Sequence, residues 1–428
     1  MSIKHLYEDE RPSLLLDFAN SKTLDPRITF TRNSTGTYVD EQGVIKTAAA
    51  NEARFDHDGT GECLGLLLEQ SRTNFLTYSV DLTQQWATER SSITSNTTTA
   101  PDGTTTATTL TENTSNNSHL ISGYTAIPQT GNGTHTFSVF AKAKERSVVA
   151  LSTNQAIGTH AVATFDLQQG IVSQSGGTNN GTTDYVDSSI VYIGNGWYRC
   201  SLTYEIGGGV GQWPVIQIVD TPTYTYDSVG RRSYQGDGTS GVYIWGVQIE
   251  QNSGYVTSYI PTSGSTVTRN DDEAEITGTN LSDWFDSTGG TYVTEFKGIG
   301  YSGSLQVYLN FTQGNSRFEF YHTGVVMLYH NIATGYGHNP TYSMPVGQNN
   351  KSALSANFLD GSGSFTSNGL SPNVVAPVSS PSGAFNPTKM MFGYALYQTR
   401  GYGVSGHFKR FAYYKTRLGT TAVEALTK

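Results

Sequence analysis

The sequence predicts an all-β protein made of consecutive sandwiches, and three observations point there. Charged residues are only 14% of the 428-residue chain, against roughly 25% in ordinary soluble domains. Gly, Ser, Thr, Asn and Tyr take their place, and these residues suit pleated surfaces and tight reversals rather than helices. Runs with period-two alternation, bounded by Gly, Asn, Asp and Pro, recur along the chain, which is how short turn-linked strands read.

Residues 1–80 give short strands at 14–16, 28–30, 38–39 and 44–45, separated by Asp-Pro, Ser-Thr-Gly and Asp-Glu-Gln-Gly turns, and then the apolar run LGLLLE. Residues 81–269 give strands at 134–141, 147–152, 161–166, 190–193, 197–205 and 214–219. The last strand of this unit lies in TSGVYIWGVQIEQ, with Val242, Ile244, Gly246, Gln248 and Glu250 expected on one face and Tyr243, Trp245, Val247 and Ile249 on the other. The charged run Arg269-Asn270-Asp271-Asp272-Glu273 then reads as a solvated boundary. Residues 274–428 form the last unit, with alternating strands in TYVTEFKG, LQVYLNFTQG, SRFEFYHTG, KSALSANF and HFKRFAYYK. Asp360-Gly361 and Asn368-Gly369 mark its turns, and residues 420–426 form its helix, with Thr420 or Thr421 as N-cap and Glu424 in the first turn.

Several function classes are excluded. The net charge of −9 and the scattered Lys and Arg residues leave no basic stripe for nucleic acid. No apolar run approaches the roughly 20 residues of a spanning helix, and the polar start MSIKHLYEDERPS lacks the core of a signal peptide. The expectation is a protein that does not insert into membranes and stays where it is made until something carries it out. Cys63 and Cys200 sit beside apolar residues and read as buried free thiols.

Catalytic machinery is not legible. The last unit shows no paired carboxylates at alternate strand positions, as a glycosidase needs; Glu295 and Glu319 stand alone, and Asp271, Asp272, Glu273 and Glu275 fall in the boundary run. There is no His-x-x-x-His, Cys-x-x-Cys or Gly-x-Ser-x-Gly pattern. Asp56, Asp58 and Glu62 supply alternating oxygens around a Gly turn, which a structural calcium ion could use; the spacing falls short of a twelve-residue calcium loop, so a plain Asp-Gly turn is the favoured reading. No other cofactor is expected.

Two aromatic stretches stand out. Trp213, Tyr224, Tyr226, Arg231 and Tyr234 lie in a loop-rich part of the middle unit, and Tyr397, Arg400 and Tyr402 in a loop of the last one. Flat aromatic faces and planar polar groups suit sugar rings and hydroxyls, but Tyr also serves subunit contacts and ordinary packing, so all three readings stay open. Trp197 and Trp245, inside alternating strands, read as core.

The segments LDFANSKTLDPRITFTRNSTGTYVDEQGVIKTAAANEARFDHD and LGLLLEQSRTNFLTYS resemble the N-terminal signature of bacteriophage and prophage structural proteins of tail-fibre or minor-virion type. FSVFAKA, TFDLQQGIV, GNGWYRCSLTYE and VYIWGVQIEQNSGYVTSYIPT resemble carbohydrate-binding modules and galactose-binding-like domains. The late strands of the last unit are similar to concanavalin A-like, laminin G-like sandwiches. The resemblance implies a β-rich virion-docking segment at 1–80, a jelly roll at 81–269 and a lectin-like sandwich at 274–428. It further implies a non-enzymatic receptor-binding or tail-fibre protein, assembled in the bacterial cytoplasm and exposed on the particle. Expected partners are other virion proteins, further copies of itself with trimers the common arrangement, and host-surface polysaccharide. The alternatives are a purely structural capsid or tail decoration protein and a polysaccharide depolymerase. Without a long repeat or coiled-coil heptads, a compact head or adaptor is expected rather than a shaft.

Overall fold

A computed structural model of the chain describes residues 11–123, 133–156, 159–178, 183–207, 213–300, 306–313, 316–322, 325–331, 336–343, 347–371, 373–375, 384–393 and 404–428. The all-β expectation holds. Among the described residues the helices are three short ones, Phe18–Ser21, Thr279–Ser282 and Thr420–Leu426.

The middle sandwich packs two six-stranded antiparallel sheets in a jelly roll. One runs Thr183–Gly194, Trp197–Ile206, Gly133–Ala143, Gly241–Gln251, Ala107–Glu112, Ser91–Thr98. The other runs Ile171–Gly177, Thr159–Asp166, Val148–Ala156, Trp213–Val219, His119–Gly123, Trp86–Glu89. Phe137, Val139, Leu151, Phe165, Leu202, Ile216, Ile244 and Ile249 fill the space between them. Cys200 lies in this core and Cys63 is also buried, both as free thiols.

The closing strand departs from strict alternation. Ser138 faces Gln248 while Phe140 faces Trp245, so one extra residue is accommodated at Gly246, whose φ is +63°. This bulge re-aims the chain: Val242 and Ile244 before it and Val247 and Ile249 after it all enter the same core, whereas Trp245 joins a second cluster outside. A Cβ at Gly246 would lie 2.8 Å from the Phe140 ring. Gln248 and Glu250 therefore emerge on the outer face, where their side chains bond the backbone N–H groups of Ile260 at 2.7 Å and Thr257 at 3.0 Å.

The last sandwich takes strands from both ends of the chain. One sheet runs Asn373–Val375, Gly363–Ser367, Asn349–Asn357, Gly289–Gly300, Ser405–Tyr414, Cys63–Leu68, Arg54–His57, with Leu14–Asp17 also paired to Ser405–Tyr414. The facing sheet begins with Thr29–Thr31, followed by Glu273–Thr277, Lys389–Phe392 and Gln306–Gln313, and continues outward through Ser316–His322, Val325–Asn331 and Tyr336–Ser343. Residues expected to form a separate N-terminal segment thus build both layers of the sandwich assigned to 274–428. Leu14, Leu16, Phe18, Ile28, Phe30, Leu66 and Leu68 share one core with Tyr292, Phe311, Phe392, Phe408 and Phe411.

The same segment also grips the middle sandwich. The hairpin Gly36–Val39 and Ile45–Ala48 lies against that sandwich's outer face, where Ile45 packs with Phe140, Trp197, Trp245 and Tyr259. Two turns seat on the strand Thr183–Gly194: a Cβ at Gly43 would lie 2.8 Å from the Ile193 carbonyl oxygen, and one at Gly59 would lie 2.5 Å from that of Tyr192.

The boundary run is only partly solvated, since two of its charged residues are buried. Asp272 is 4% exposed and Arg269 1%. Asp272 bonds Arg32 at 3.0 Å, the guanidinium of Arg54 and the backbone N–H of Glu69 at 2.8 Å, while Glu69 pairs with Arg54 at 2.8 Å and Arg269 at 3.4 Å. Charges survive in an interior only when paired and hydrogen-bonded, and here the pairs tie the N-terminal segment to the connection between the sandwiches.

In the C-terminal region, Asp360-Gly361 forms the expected hairpin between Asn349–Asn357 and Gly363–Ser367, with Gly361 at φ +72°. The helix Thr420–Leu426 is where the sequence placed it, but Gly419 is its N-cap, no side chain caps it, and Glu424 lies beyond the first turn. Its Val423 and Leu426 pack on Val293, Ala353 and Ala412 on the outside of the sheet.

Candidate functional site

The outer face of the middle sandwich's second sheet carries the aromatic residues singled out in the sequence. On Trp213–Val219, Ile216 and Ile218 point into the core, so Trp213, Val215, Gln217 and Val219 point outward. Residues 220–233 then fold back over this face. Gln217 fastens them by accepting the Arg232 N–H at 3.2 Å and donating to its carbonyl at 2.5 Å.

The roof draws most of its aromatic residues inward. Tyr224 accepts a hydrogen bond from Thr164 at 3.0 Å and packs on Val148, Ala150 and Val219, and burial pushes its hydroxyl up to about 12. Tyr226 is half-buried, with its ring edge-on to His160 at 5.2 Å. Arg231 pairs with Glu89 at 3.1 Å. Tyr234 is only 5% exposed; its hydroxyl donates to Glu112 at 2.6 Å, its ring meets His119 at 4.8 Å, and Arg146 lies over it. Tyr234 is therefore a packing residue, since a ring held on three sides offers no face to a ligand.

Trp213 differs, with 45% of its surface exposed. In the sheet register Trp213 stands opposite Asn154, and Asn154 opposite His160. Residues in one row share a face, so Trp213 and the His160–Tyr226 pair lie two strand spacings apart, about 10 Å at the backbone. The arrangement is an open indole at one end of a row and an imidazole capped by a phenol at the other, on a sheet stiffened by the roof. The indole can stack a ring C–H face, whereas the imidazole, 3% exposed, is covered by the roof. The sequence signalled Trp213 and Tyr226; His160 was missed, because its place in the row depends on strand register rather than on any local pattern.

Tyr397, Arg400 and Tyr402 lie outside the described residues.

Asp56, Asp58 and Glu62 are parted by the fold, each with its own partners. Asp56 accepts from the Val39 N–H at 2.7 Å and faces His407 at 2.8 Å. Asp58 closes a tight turn, accepting from the backbone N–H groups of Thr60 at 2.9 Å and Glu62 at 3.0 Å. Glu62 pairs with Lys409 at 2.8 Å. Among the described residues no group of three or more His, Cys, Asp or Glu is placed to hold a metal ion. The calcium reading thus gives way to the plain Asp-Gly turn, whose Gly59 is required by its contact with Tyr192.

No protein-family model and no curated protein matches the chain. Similar solved structures include a sialidase carbohydrate-binding module from Ruminococcus gnavus, at 21% identity and a TM-score of 0.29, covering 33% of this chain and 83% of that one. Domain 4 of an extracellular arabinanase from Geobacillus stearothermophilus, solved with arabinotriose, is 12% identical with a TM-score of 0.30, covering 41% of this chain and 83% of that one. A Trypanosoma rangeli sialidase solved with sialic acid is 11% identical with a TM-score of 0.26, covering 75% of this chain and 60% of that one.

Proposed function

We propose that the chain is a non-enzymatic structural protein of a bacteriophage particle, of tail-fibre or receptor-binding type, that contacts host-surface glycan through the middle sandwich. The observation that carries the glycan part is the Trp213 indole, 45% exposed on the outer face of a rigid β-platform. The virion part is supported by the resemblance of the N-terminal motifs to phage structural proteins. Glycan-array binding by the whole protein tests the first part: binding is expected, and Trp213→Ala should weaken it by about 1–3 kcal/mol, as removal of a stacking aromatic does. No binding to any host polysaccharide, or binding indifferent to Trp213→Ala, would overturn this assignment. A reducing-end assay on purified host polysaccharide tests the non-enzymatic part, with a flat trace expected.

A second reading, a decoration protein that uses these surfaces against neighbours, is favoured by one feature. The edge of the middle sandwich exposes Ile171 at 45%, Val186 at 47% and Val191 at 51%, along strands that end their sheets. Exposed apolar edges are normally covered. A particle-level density map in which this edge, and also Trp213, are buried against neighbouring subunits favours that reading.

A further inference from the structure

A cavity of about 390 Å³ lies where the two sandwiches meet, bounded by the N-terminal hairpin, the end of Thr183–Gly194 and the outer face of the last sandwich. Val191 and Tyr192, 51% and 40% exposed, line it where it reaches the surface. Its volume falls at the lower end of the roughly 300–1,000 Å³ of small-molecule sites, and domain junctions are where such sites concentrate. Much of its wall is apolar, with Val39, Ile45, Leu67, Phe140 and Ile299.

Two of the cations around it lack a direct ion pair. Three carboxylates line the cavity and all are compensated: Asp56 by His407 and the Val39 N–H, Asp58 by the N–H groups of its own turn, Glu69 by Arg54 and Arg269. Two cations line it, Lys297 and Arg199; among the described residues neither has a carboxylate within ion-pair distance, although Glu250 and Glu69 act on Arg199, and Lys297 on Asp58, at longer range. Arg199 is 9% exposed, gives its guanidinium hydrogen bonds to the Thr257 carbonyl and the Ser138 hydroxyl, and leaves Nε without a partner. His57 and His407, 7% and 5% exposed, line the same cavity, and each has one ring nitrogen, Nε2 and Nδ1 respectively, with no hydrogen-bond partner among the described residues. Cations without a direct ion pair and orphaned polar atoms beside an apolar wall are what a ligand with one anionic end and one apolar face would complete.

We infer that this cavity binds a small carboxylate-bearing molecule of about one six-membered ring, with the carboxylate directed to Lys297 and Arg199. The site is separate from the Trp213 row and stands whether or not that row binds glycan. The ring can come from an acidic sugar or from a non-sugar acid, and the test separates them. Isothermal titration of the full chain is made at neutral pH with glucuronate, cyclohexanecarboxylate and glucose. At least one of the two acids is expected to bind and glucose is not; glucuronate alone identifies a sugar-acid site, and cyclohexanecarboxylate with or without it a site for the carboxylate and ring alone. Lys297→Met is expected to weaken binding about tenfold or more, the loss typical of one charge-assisted contact. Val191→Trp, which fills the mouth, is expected to abolish it, with thermal unfolding confirming that both variants fold, while Trp213→Ala leaves it unchanged. Binding of neither acid, equal binding of glucose, or unchanged affinity in Lys297→Met would overturn the inference.

Discussion

Arg54 shows at the scale of one residue how this fold tolerates so few charges and yet depends on them. Its guanidinium is fully buried and holds Glu69 and Asp272 together. Replacing it with Ala leaves both carboxylates in the interior facing fewer cations, and breaking a buried pair in this way costs about 3–5 kcal/mol. Urea unfolding of Arg54→Ala should show that loss, whereas a change under about 1 kcal/mol would mean the network relaxes. The pH dependence follows from Glu69. Burial pushes its carboxyl up, but Arg269, Arg54 and the hydrogen bonds from Ser258 outweigh that and hold it well below the usual carboxylate range. A depressed folded-state value means the stabilisation is complete above the ordinary carboxylate range and is lost as pH falls through the folded-state value. The unfolding midpoint should therefore hold from pH 7 to about 5 and decline below it, and in Glu69→Gln the acid-side decline should be shallower. None of these pairings could be read from the sequence. Asp272 sits in a run of charged residues, where the sound default is exposure, and its partners Arg32 and Arg54 lie more than 200 positions away.

At the scale of elements, strand positions were legible and strand partners were not. Alternation located Gly133–Ala143, Trp197–Ile206 and Trp213–Val219 to within a few residues, because each strand buries a face and the pattern is local. The pairing of Leu16 with Phe411, or of Leu67 with His407, leaves no local trace. The Gly246 bulge was hidden for a different reason: a single inserted residue reverses the facing of all that follows, and only the partner strand reveals it. In the candidate site the exposed Trp213 was legible from its residue type and loop context. The burial of Tyr234 was not, because it rests on Glu112, 122 positions away. Gly65 tests the element-level pairing. Its φ is +102° and a Cβ there would lie 2.1 Å from the Phe408 carbonyl oxygen. Gly65→Ala should therefore cost roughly 2–5 kcal/mol, from backbone strain and the forced separation of Cys63–Leu68 from Ser405–Tyr414, measurable as a fall in the denaturation midpoint. A neutral substitution would mean these strands are not so closely apposed.

For the whole molecule, the N-terminal segment is a clamp rather than an appendage. It supplies strands to both sheets of the last sandwich, a hairpin to the outer face of the middle one, and the buried ion pairs between them. Seven of its apolar side chains lie in the last sandwich's core. At about 1.5–3 kcal/mol each, their burial is worth roughly 10–20 kcal/mol, as much as the whole net stability of a typical domain. The cavity between the sandwiches and the fixed direction of the Trp213 row both depend on this clamp. The decisive measurement compares amide NMR spectra of residues 269–428 alone, which keep Arg269 and Asp272, with those of the same residues fused behind residues 11–80. The fragment alone should give a collapsed, poorly dispersed spectrum and the fusion a dispersed β-sheet spectrum; a well-dispersed spectrum from 269–428 alone would contradict the account.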